Sequence, residues 1–391
     1  MGVARDLRSI VRTLHLWLSL GLGVVIVAVA LAGAPLVWRD NVDRALNPAR
    51  YAVTGVRADR TPSAYMAAAA AAAGAGQRAV EAVYPDAPGW PVRVTTRGPG
   101  ANGKPAAARV VTLDPSTGAV LGVAGRSDTF VGVLHNFHHM LSAPQISGRQ
   151  IVGWIGIALL VLSLSGLYMW LPRNGGFVRG LRWRRAPTTI ANLHHLFGFW
   201  LSLPLAIVSL TGIYLAFPRQ AHAVMSSVAE VGAPMQHGYG AMPAAQTRLD
   251  ADGALELALE LAPESQLRAV SAPVASNDAH DHDAPVWRIR LLRPATGSEV
   301  TITVDDRSGD ARVLPPPPAG ERAAQWIAAV HEGRVGGPVW AILVLLTGIG
   351  PLGFFATGLI MWLRQRAARR TARAPEAAGA RLSQAEQGAL T

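Results

Sequence analysis

Histidine is the residue type whose placement in this 391-residue chain suggests chemistry. Seven of the eleven histidines stand at the edges of long apolar segments, where an unpaired imidazole costs free energy. They form two groups, one at the start of the first and third apolar segments and one just before the second and fourth. The first group contains His15, His194 and His195, and the second contains His135, His138, His139 and His331.

A b-type haem explains histidines in such positions. The iron takes one axial imidazole nitrogen from each of two helices, and the porphyrin fills the apolar space between them. Small residues four places on, Ser19 after His15 and Gly198 after His194, would let a flat ring approach the backbone. One such site at each depth predicts two haems.

The second group of histidines contains neighbours that compete for one role. His139 precedes Trp170 by the same separation as His331 precedes Trp362, so helices in register bring the two histidines to one level. His135, His138 and His139 share one helical face, so one of the three is expected to bind iron and the others to contact propionates. The simpler interpretation is that each histidine only contacts lipid headgroups, but the repetition across two halves favours ligation.

Four apolar segments must position these histidines. Each is long enough to cross about 30 Å of hydrocarbon as a helix, and none contains a charge before its edge. The first is too long for a signal peptide, so it is predicted to remain as an anchor. The segments are 14–38, 151–171, 193–217 and 339–363.

Arginine predicts how the chain crosses the membrane. The N-terminal tail, the loop 172–190 and the tail from 364 hold fourteen arginines and three acidic residues. Because positive charge marks cytoplasmic loops, we expect both termini in the cytoplasm of a bacterial inner membrane. The excess of arginines over acidic residues in these three segments equals the net charge of the whole chain, +11. The high pI therefore reflects membrane topology, and we reject nucleic-acid binding as its cause. The absence of cysteine excludes disulfides, thiolate metal sites and iron–sulfur clusters.

The two long loops carry one pattern twice. A helix-like stretch, 62–83 or 253–261, is followed by strand-like stretches, 92–123 or 287–313. In both loops an alternating strand runs into an Asp-x-x-x-Gly turn, at Asp114 and at Asp305. The sequence therefore predicts a membrane all-α bundle of four transmembrane helices with two α+β lobes and an internal two-fold repeat.

The predicted division follows this repeat. It comprises 1–38 (N-terminal tail and first span), 39–130 (lobe 1), 131–171 (edge helix and second span), 172–190 (cytoplasmic loop), 191–217 (third span), 218–330 (lobe 2), 331–366 (fourth span) and 367–391 (disordered tail).

Two further clusters of possible metal ligands are interpreted more simply. His280 and His282 fit a solvated turn, and the Met/His segment 222–242 fits a loop packed on a surface, although a soft metal or substrate site stays open there. The members of that segment are His222, Met225, Met235, His237 and Met242. No nucleotide-binding, nucleophile-elbow or zinc-protease motif occurs.

The chain up to about residue 366 resembles the PepSY-associated transmembrane family. The features that carry the resemblance are Arg12-Thr-Leu-His15, His138-x-x-Leu141 before Gly148-Arg149, Ser-Gly-Leu-Tyr-Met-Trp-Leu-Pro from Ser165, Leu193-His194, His331-Glu-Gly333 and the paired Asp-x-x-x-Gly turns. The family includes ferric-siderophore reductases of the ferrioxamine-reductase type, with two haems stacked across the membrane and PepSY lobes in the periplasm.

This resemblance implies a path for electrons and a set of ligands. Electrons from a cytoplasmic or quinol donor would enter an inner haem b held by His15 and His194, where His195 is the alternative. They would leave from an outer haem b held by His331 and by His138 or His139, with His139 taken for the iron set. The acceptor would be a ferric siderophore.

Two other functions compete with reduction of a siderophore. One is a non-enzymatic PepSY membrane protein that binds a periplasmic partner. The other is a dihaem electron conduit that serves a different acceptor.

Overall fold

A computed structural model describes residues 2–100, 106–125, 127–172, 181–182, 186–231, 242–274 and 285–388. The chain divides into two compact units. The helical unit comprises Met1–Val37, Leu134–Ser227 and Ala323–Thr391, and the sheet unit comprises Trp38–Val133 and Val228–Arg322.

Four helices of the structure are long and apolar enough to cross a membrane, one for each of the four predicted apolar segments. They are α1 (Gly2–Gly33), α5 (Gly148–Trp170), α6 (Thr189–Ala216) and α10 (Gly337–Gly388). The first span continues through a 3₁₀ turn (Ala34–Trp38) into α2 (Arg39–Leu46). At most helix ends the observed bound lies within a few residues of the predicted one. The helices extend beyond the predicted segments because apolar composition marks only the part of a helix that faces lipid.

The four helices pack as a ring. The main contacts join α1 to α5, α5 to α6, α6 to α10 and α10 to α1. The helices α1 and α6 therefore stand across the ring from each other. Ile26 and Val29 of α1 pack with Ile155 of α5 in a small buried cluster.

The last helix extends into the tail that the sequence predicts to be disordered. The helix α10 continues without a break to Gly388, well past the expected boundary at residue 366. The tail is rich in Ala, Arg, Glu and Gln, which are good helix formers, so a helix that has already nucleated extends through it.

The sheet unit contains one antiparallel sheet of eight strands in the order β4-β3-β2-β1-β5-β6-β7-β8. Each predicted lobe supplies one helix and four strands, but β1 pairs with β5, so the strands of both loops form a single sheet. This pairing satisfies two strand edges that separate lobes would leave open. The strands are β1 (Arg78–Val83), β2 (Val92–Arg97), β3 (Arg109–Leu113), β4 (Val120–Gly125), β5 (Gln266–Ser271), β6 (Val286–Arg293), β7 (Ser298–Asp305) and β8 (Ala311–Val313).

Two helices cover the apolar face of this sheet. They are α3 (Pro62–Ala73) and α8 (Ala251–Leu261), and the core beneath them includes the fully buried Tyr65, Ile289 and Ile302. The shorter helices α4 (Phe130–Met140), α7 (Pro218–Val228) and α9 (Ala319–His331) connect the remaining elements.

The first predicted helix of the sheet unit is too long. The stretch 62–83 was expected to be helical, but α3 ends at Ala73 and residues 78–83 form β1. Gly74 and Gly76 adopt positive φ (111° and 74°), a conformation that ends a helix and that other residues rarely adopt. The structure also contains β5, which the sequence did not predict.

The Asp-x-x-x-Gly turns form as predicted. The backbone N–H groups of Ser116 and Thr117 donate hydrogen bonds to the carboxylate of Asp114, and those of Arg307 and Ser308 donate to Asp305. Burial alone would raise the pKa of Asp114, but hydrogen bonds from Thr54, Thr117 and Ser116 outweigh it and hold that pKa well below its usual range.

Candidate functional site

Two histidines, one near the middle of α1 and one near the start of α6, have matching hydroxyl partners. The Nδ1 atom of His15 lies 2.8 Å from Oγ of Ser165, and Nδ1 of His194 lies 2.7 Å from Oγ1 of Thr357. Both hydroxyls already donate to carbonyl oxygens of their own helices. Each hydroxyl therefore accepts from Nδ1–H, which leaves Nε2 of both imidazoles with a lone pair. We call His15 and His194 the His15 layer.

Two further histidines use backbone carbonyls in the same way. Nδ1 of His138 donates to the carbonyl of Val29 (2.9 Å), and Nδ1 of His331 donates to that of Val208 (3.0 Å). A carbonyl only accepts, so both rings carry the proton on Nδ1. Burial lowers the pKa of His138 and lowers that of His331 to about 4, so both are neutral at pH 7. We call His138 and His331 the His331 layer.

The rings of the His331 layer face each other at a distance suited to a metal. Their centroids are 6.1 Å apart, with 36° between the ring planes. If one metal were bound through both Nε2 atoms at about 2 Å each, the ring centroids would be roughly 6 Å apart. Metal-bound histidines usually donate the other ring N–H to a carbonyl or similar acceptor, as both residues do here.

A glycine lies against each of the four imidazoles. A Cβ added at Gly33 would be 2.6 Å from Cε1 of His138, and one at Gly212 would be 2.8 Å from Cε1 of His331. Both positions therefore require glycine unless the ring moves. In the His15 layer the contacts are looser, 3.4 Å from Gly166 to His15 and 3.7 Å from Gly358 to His194.

The two layers have the same spacing along α1 and along α6. The separation in sequence from His15 to Val29 on α1 equals that from His194 to Val208 on α6. With a helical rise of about 1.5 Å per residue, the separation corresponds to about 21 Å on each helix. Because α1 and α6 stand across the ring, the layers lie one above the other between the same two helices.

The structure places the ring of His138 beside that of His331, whereas the sequence favoured His139. The ring of His139 stacks on that of His135 instead, with centroids 5.6 Å apart and 17° between planes. The equal separations of His139 and His331 from the tryptophans that follow them favoured His139. They do not determine which ring lies beside His331, because the turns before α5 and α10 have different backbone conformations. Leu141 and Ser142 both adopt positive φ before α5, whereas the turn before α10 uses glycines. The remaining member, His195, lies edge-on to His194 at 6.4 Å.

The other predicted residues take no part in these layers. Gly198 has open space around its Cβ position and the Ser19 hydroxyl donates to Leu16, so their role beside a flat ring stays a prediction. His222 is exposed on α7. Within the described ranges no group of three or more His, Cys, Asp or Glu is arranged to hold a metal ion. Four of the possible metal ligands, Met235, His237, His280 and His282, lie outside the described residues.

Reasoning from sequence missed the partners of the histidines. Ser165 and Thr357 both open a Ser/Thr-Gly-Leu motif in the last part of the second and fourth apolar segments. The signal that could have identified Ser165 and Thr357 is a hydroxyl-bearing residue at the same position in both copies of this motif.

An apolar cleft of about 700 Å³ lies between α6 and α10 beside the His15 layer. His194 and Thr357 provide its polar side chains at one end, and the rest of its lining is apolar or glycine. Phe197 and Trp200 are more than half exposed along it.

Comparison with known proteins identifies the family of this chain. A search of curated proteins gives no match. The model of one family, described as the PepSY-associated TM region, matches residues 12–365, a range that contains both histidine layers and the whole sheet unit. The chain therefore belongs to the PepSY-associated transmembrane family.

Proposed function

We propose that this protein carries electrons across a bacterial inner membrane through two b haems and reduces the iron of a ferric siderophore on the periplasmic side. The observation that carries the proposal is the facing pair His138 and His331, whose Nδ1–H groups are both bonded to carbonyls and whose rings are 6.1 Å apart. A buried, neutral imidazole with its Nε2 lone pair unused is what a bis-histidine haem requires.

The donor set suits a haem in each layer. His138 and His331 would hold one, and His15 and His194 the other. Ser165 and Thr357 fix the tautomers in the His15 layer, and two carbonyls do so in the His331 layer. When bound, a b haem supplies one-electron transfer. The chain keeps the imidazoles oriented and, through its apolar helices, keeps water away from them.

The placement of the two units is part of the proposal. Arginine counts support cytoplasmic termini, a cytoplasmic His15 layer and a periplasmic sheet unit. The internal two-fold repeat is supported by the equal spacing of histidine and carbonyl on α1 and α6 and by the strand order, which reads the same outward from β1 and from β5.

The cleft between α6 and α10 favours a membrane-soluble quinol over a cytoplasmic protein as the electron donor. It is apolar, as a prenylated quinol requires, and it reaches His194. Oxidation of a quinol releases two electrons and two protons, and two haems can take one electron each.

The ferric siderophore as acceptor rests on the resemblance to ferrioxamine-type reductases. Reduction takes one electron for each Fe(III). Because Fe(II) carries less charge, the anionic oxygen ligands of the chelator hold it more weakly and it can be released.

An absorption spectrum of the purified protein tests the proposal. We expect a Soret band and reducible α/β bands, and we expect His15→Ala and His331→Ala each to remove about half of the haem. His222→Ala, which changes an exposed histidine outside both layers, should leave haem content unchanged. Wild-type protein without haem, or equal haem in all four proteins, contradicts the ligand assignment.

The acceptor needs its own measurement. Dithionite-reduced protein should be reoxidised by a ferric siderophore under anaerobic conditions. If no ferric chelate reoxidises it, the conduit to a different acceptor becomes the better interpretation. If the protein binds no haem, the non-enzymatic PepSY function is favoured.

A further inference from the structure

Arg149, in the first turn of α5, is a cation whose hydrogen bonds are incomplete. One terminal nitrogen of its guanidinium donates to the carbonyl of Leu215 on α6. Its Nε atom is buried and has no hydrogen-bond partner. A buried N–H of a charged group without an acceptor is costly, so something that accepts from it is expected at this position.

Among the described residues, no acidic side chain pairs with Arg149. The stretch 134–227 contains no Asp or Glu at all. In the helical unit Glu332 pairs with Arg334, and the remaining acidic residues belong to the parts of α1 and α10 beyond the His15 layer, at the far end of the ring. Those residues are Asp6, Glu376 and Glu386. None of the ion pairs in the described part of the chain includes Arg149.

The contacts of Arg149 bring it to the end of the bundle that holds the His331 layer. Leu215 lies one turn along α6 from Thr211 and Gly212, which both contact His331. The neighbouring Gly148 packs against the carbonyl of Met140, two residues after His138, so closely that a Cβ would be 1.9 Å from that oxygen. Arg149 therefore lies between the ends of α4 and α6, the helices that end beside this histidine pair.

We infer that Arg149 binds a carboxylate of the haem held by His138 and His331 and thereby raises the reduction potential of that haem. The inference rests on the proposed function. A guanidinium presents its N–H groups in one plane, as recognition of a carboxylate requires, and the Nε–H that has no partner can donate to a carboxylate oxygen. A lipid phosphate offers the same oxyanion chemistry, but Nε is shielded from solvent, and the contacts of Arg149 lie at the end of the bundle that holds the His331 layer.

Arg8, at the other end of α5, has hydrogen-bond acceptors within the chain. Its guanidinium donates to the carbonyls of Met169 and Leu171, the free carbonyls that end α5. It therefore needs no external anion at the level of the His15 layer, and the inference applies to Arg149 alone.

A redox titration of the two haems tests the inference. In Arg149→Gln we expect the midpoint potential of one haem to fall, because an uncompensated carboxylate disfavours the added electron, and the other haem to be unchanged. Arg149→Lys, which keeps the charge, should recover most of the potential. Arg219→Gln is the matched control, since it removes an exposed arginine that is close to Leu215 in the chain and belongs to none of the ion pairs among the described residues. It should leave both potentials unchanged.

Two further measurements, one in the His331→Ala variant and one of bound lipid, distinguish a haem carboxylate from a lipid phosphate. In His331→Ala, which retains only the haem of the His15 layer, Arg149→Gln should have no effect on the remaining potential. Unchanged potentials in Arg149→Gln alone overturn the inference. Loss of co-purified anionic lipid in Arg149→Gln, with both potentials unchanged, would assign the site to a lipid phosphate and overturn it as well. Absence of haem from the wild-type protein would instead refute the proposed function, so the two failures are distinguishable.

Discussion

His138 and His139 are neighbours in the chain, yet the ring of His138 lies 6.1 Å from that of His331 while the ring of His139 stacks on that of His135. On a helix, adjacent residues point about 100° apart, so a one-residue difference in assignment changes which imidazole enters the ring of helices. The sequence restricts the ligand to three histidines on one face but does not give the geometry of the turn that follows them. Leu141 and Ser142, with φ of 53° each, set that geometry.

Replacement of each neighbour separately tests this assignment. His138→Ala should lose the haem of the His331 layer, while His139→Ala should retain both haems, because its ring stacks on His135 and does not face His331. The measurement is haem content per protein from the pyridine haemochrome spectrum. Equal loss in both variants, or loss in His139→Ala alone, would contradict the assignment.

The hydroxyl partners could have been predicted from the repeat, whereas the carbonyl partners could not. Ser165 and Thr357 recur at the same place in two motifs, so a role beside two recurring histidines follows from sequence alone. The carbonyls of Val29 and Val208 carry no side-chain signal. Only the packing of α4 and α9 against the ring brings the histidines to them.

At the level of elements, the membrane helices were predictable and the sheet only in part. An uninterrupted apolar run must be helical in lipid, and this constraint leaves little choice. In the sheet unit no such constraint applies. The run Arg78–Val83 follows an alanine-rich helix and was assigned to it, although Gly74 and Gly76 end that helix.

Glycines on α10 give a direct test of the cleft between α6 and α10. Gly353 lines this cleft and has no atom within 4 Å of its Cβ position, so Gly353→Phe should fill the cleft without disturbing the fold. We expect haem reduction by a short-chain quinol to slow on the order of tenfold, equivalent to about 1.4 kcal/mol of binding free energy. Stopped-flow absorbance at the Soret band measures this rate.

The matched control for that variant lies on another helix. Gly21 of α1 also has no atom within 4 Å of its Cβ position and does not line the cleft, so Gly21→Phe should reduce at the wild-type rate. Dithionite reduction should be unchanged in both variants. If the two phenylalanine variants behave alike with quinol, the cleft is not where the donor binds.

At the scale of the whole molecule, the two halves of the chain are joined through β1 and β5. Ala82 pairs with Val270 at the centre of the eight strands, and both are fully buried. Sequence reasoning treats the loops as two lobes because each contains its own helix, strands and Asp turn. Sequence reasoning does not show that the free edge of one set of strands pairs with the free edge of the other set. Such pairing requires no particular sequence motif in either loop.

A proline in β1 tests whether the halves fold as one unit. Ala82→Pro removes a backbone N–H and introduces a ring into a central strand, which should lower the free energy of unfolding of the sheet unit. If the sheet is continuous, hydrogen exchange should accelerate in β6 and β7 as well as in β2 and β3. Val123→Pro, in the edge strand β4, should accelerate exchange in β3 and leave β5 to β7 protected. Protection of β6 and β7 that survives Ala82→Pro would mean that the second loop holds its strands without the first, and that the pairing of β1 with β5 contributes little to the stability of the unit.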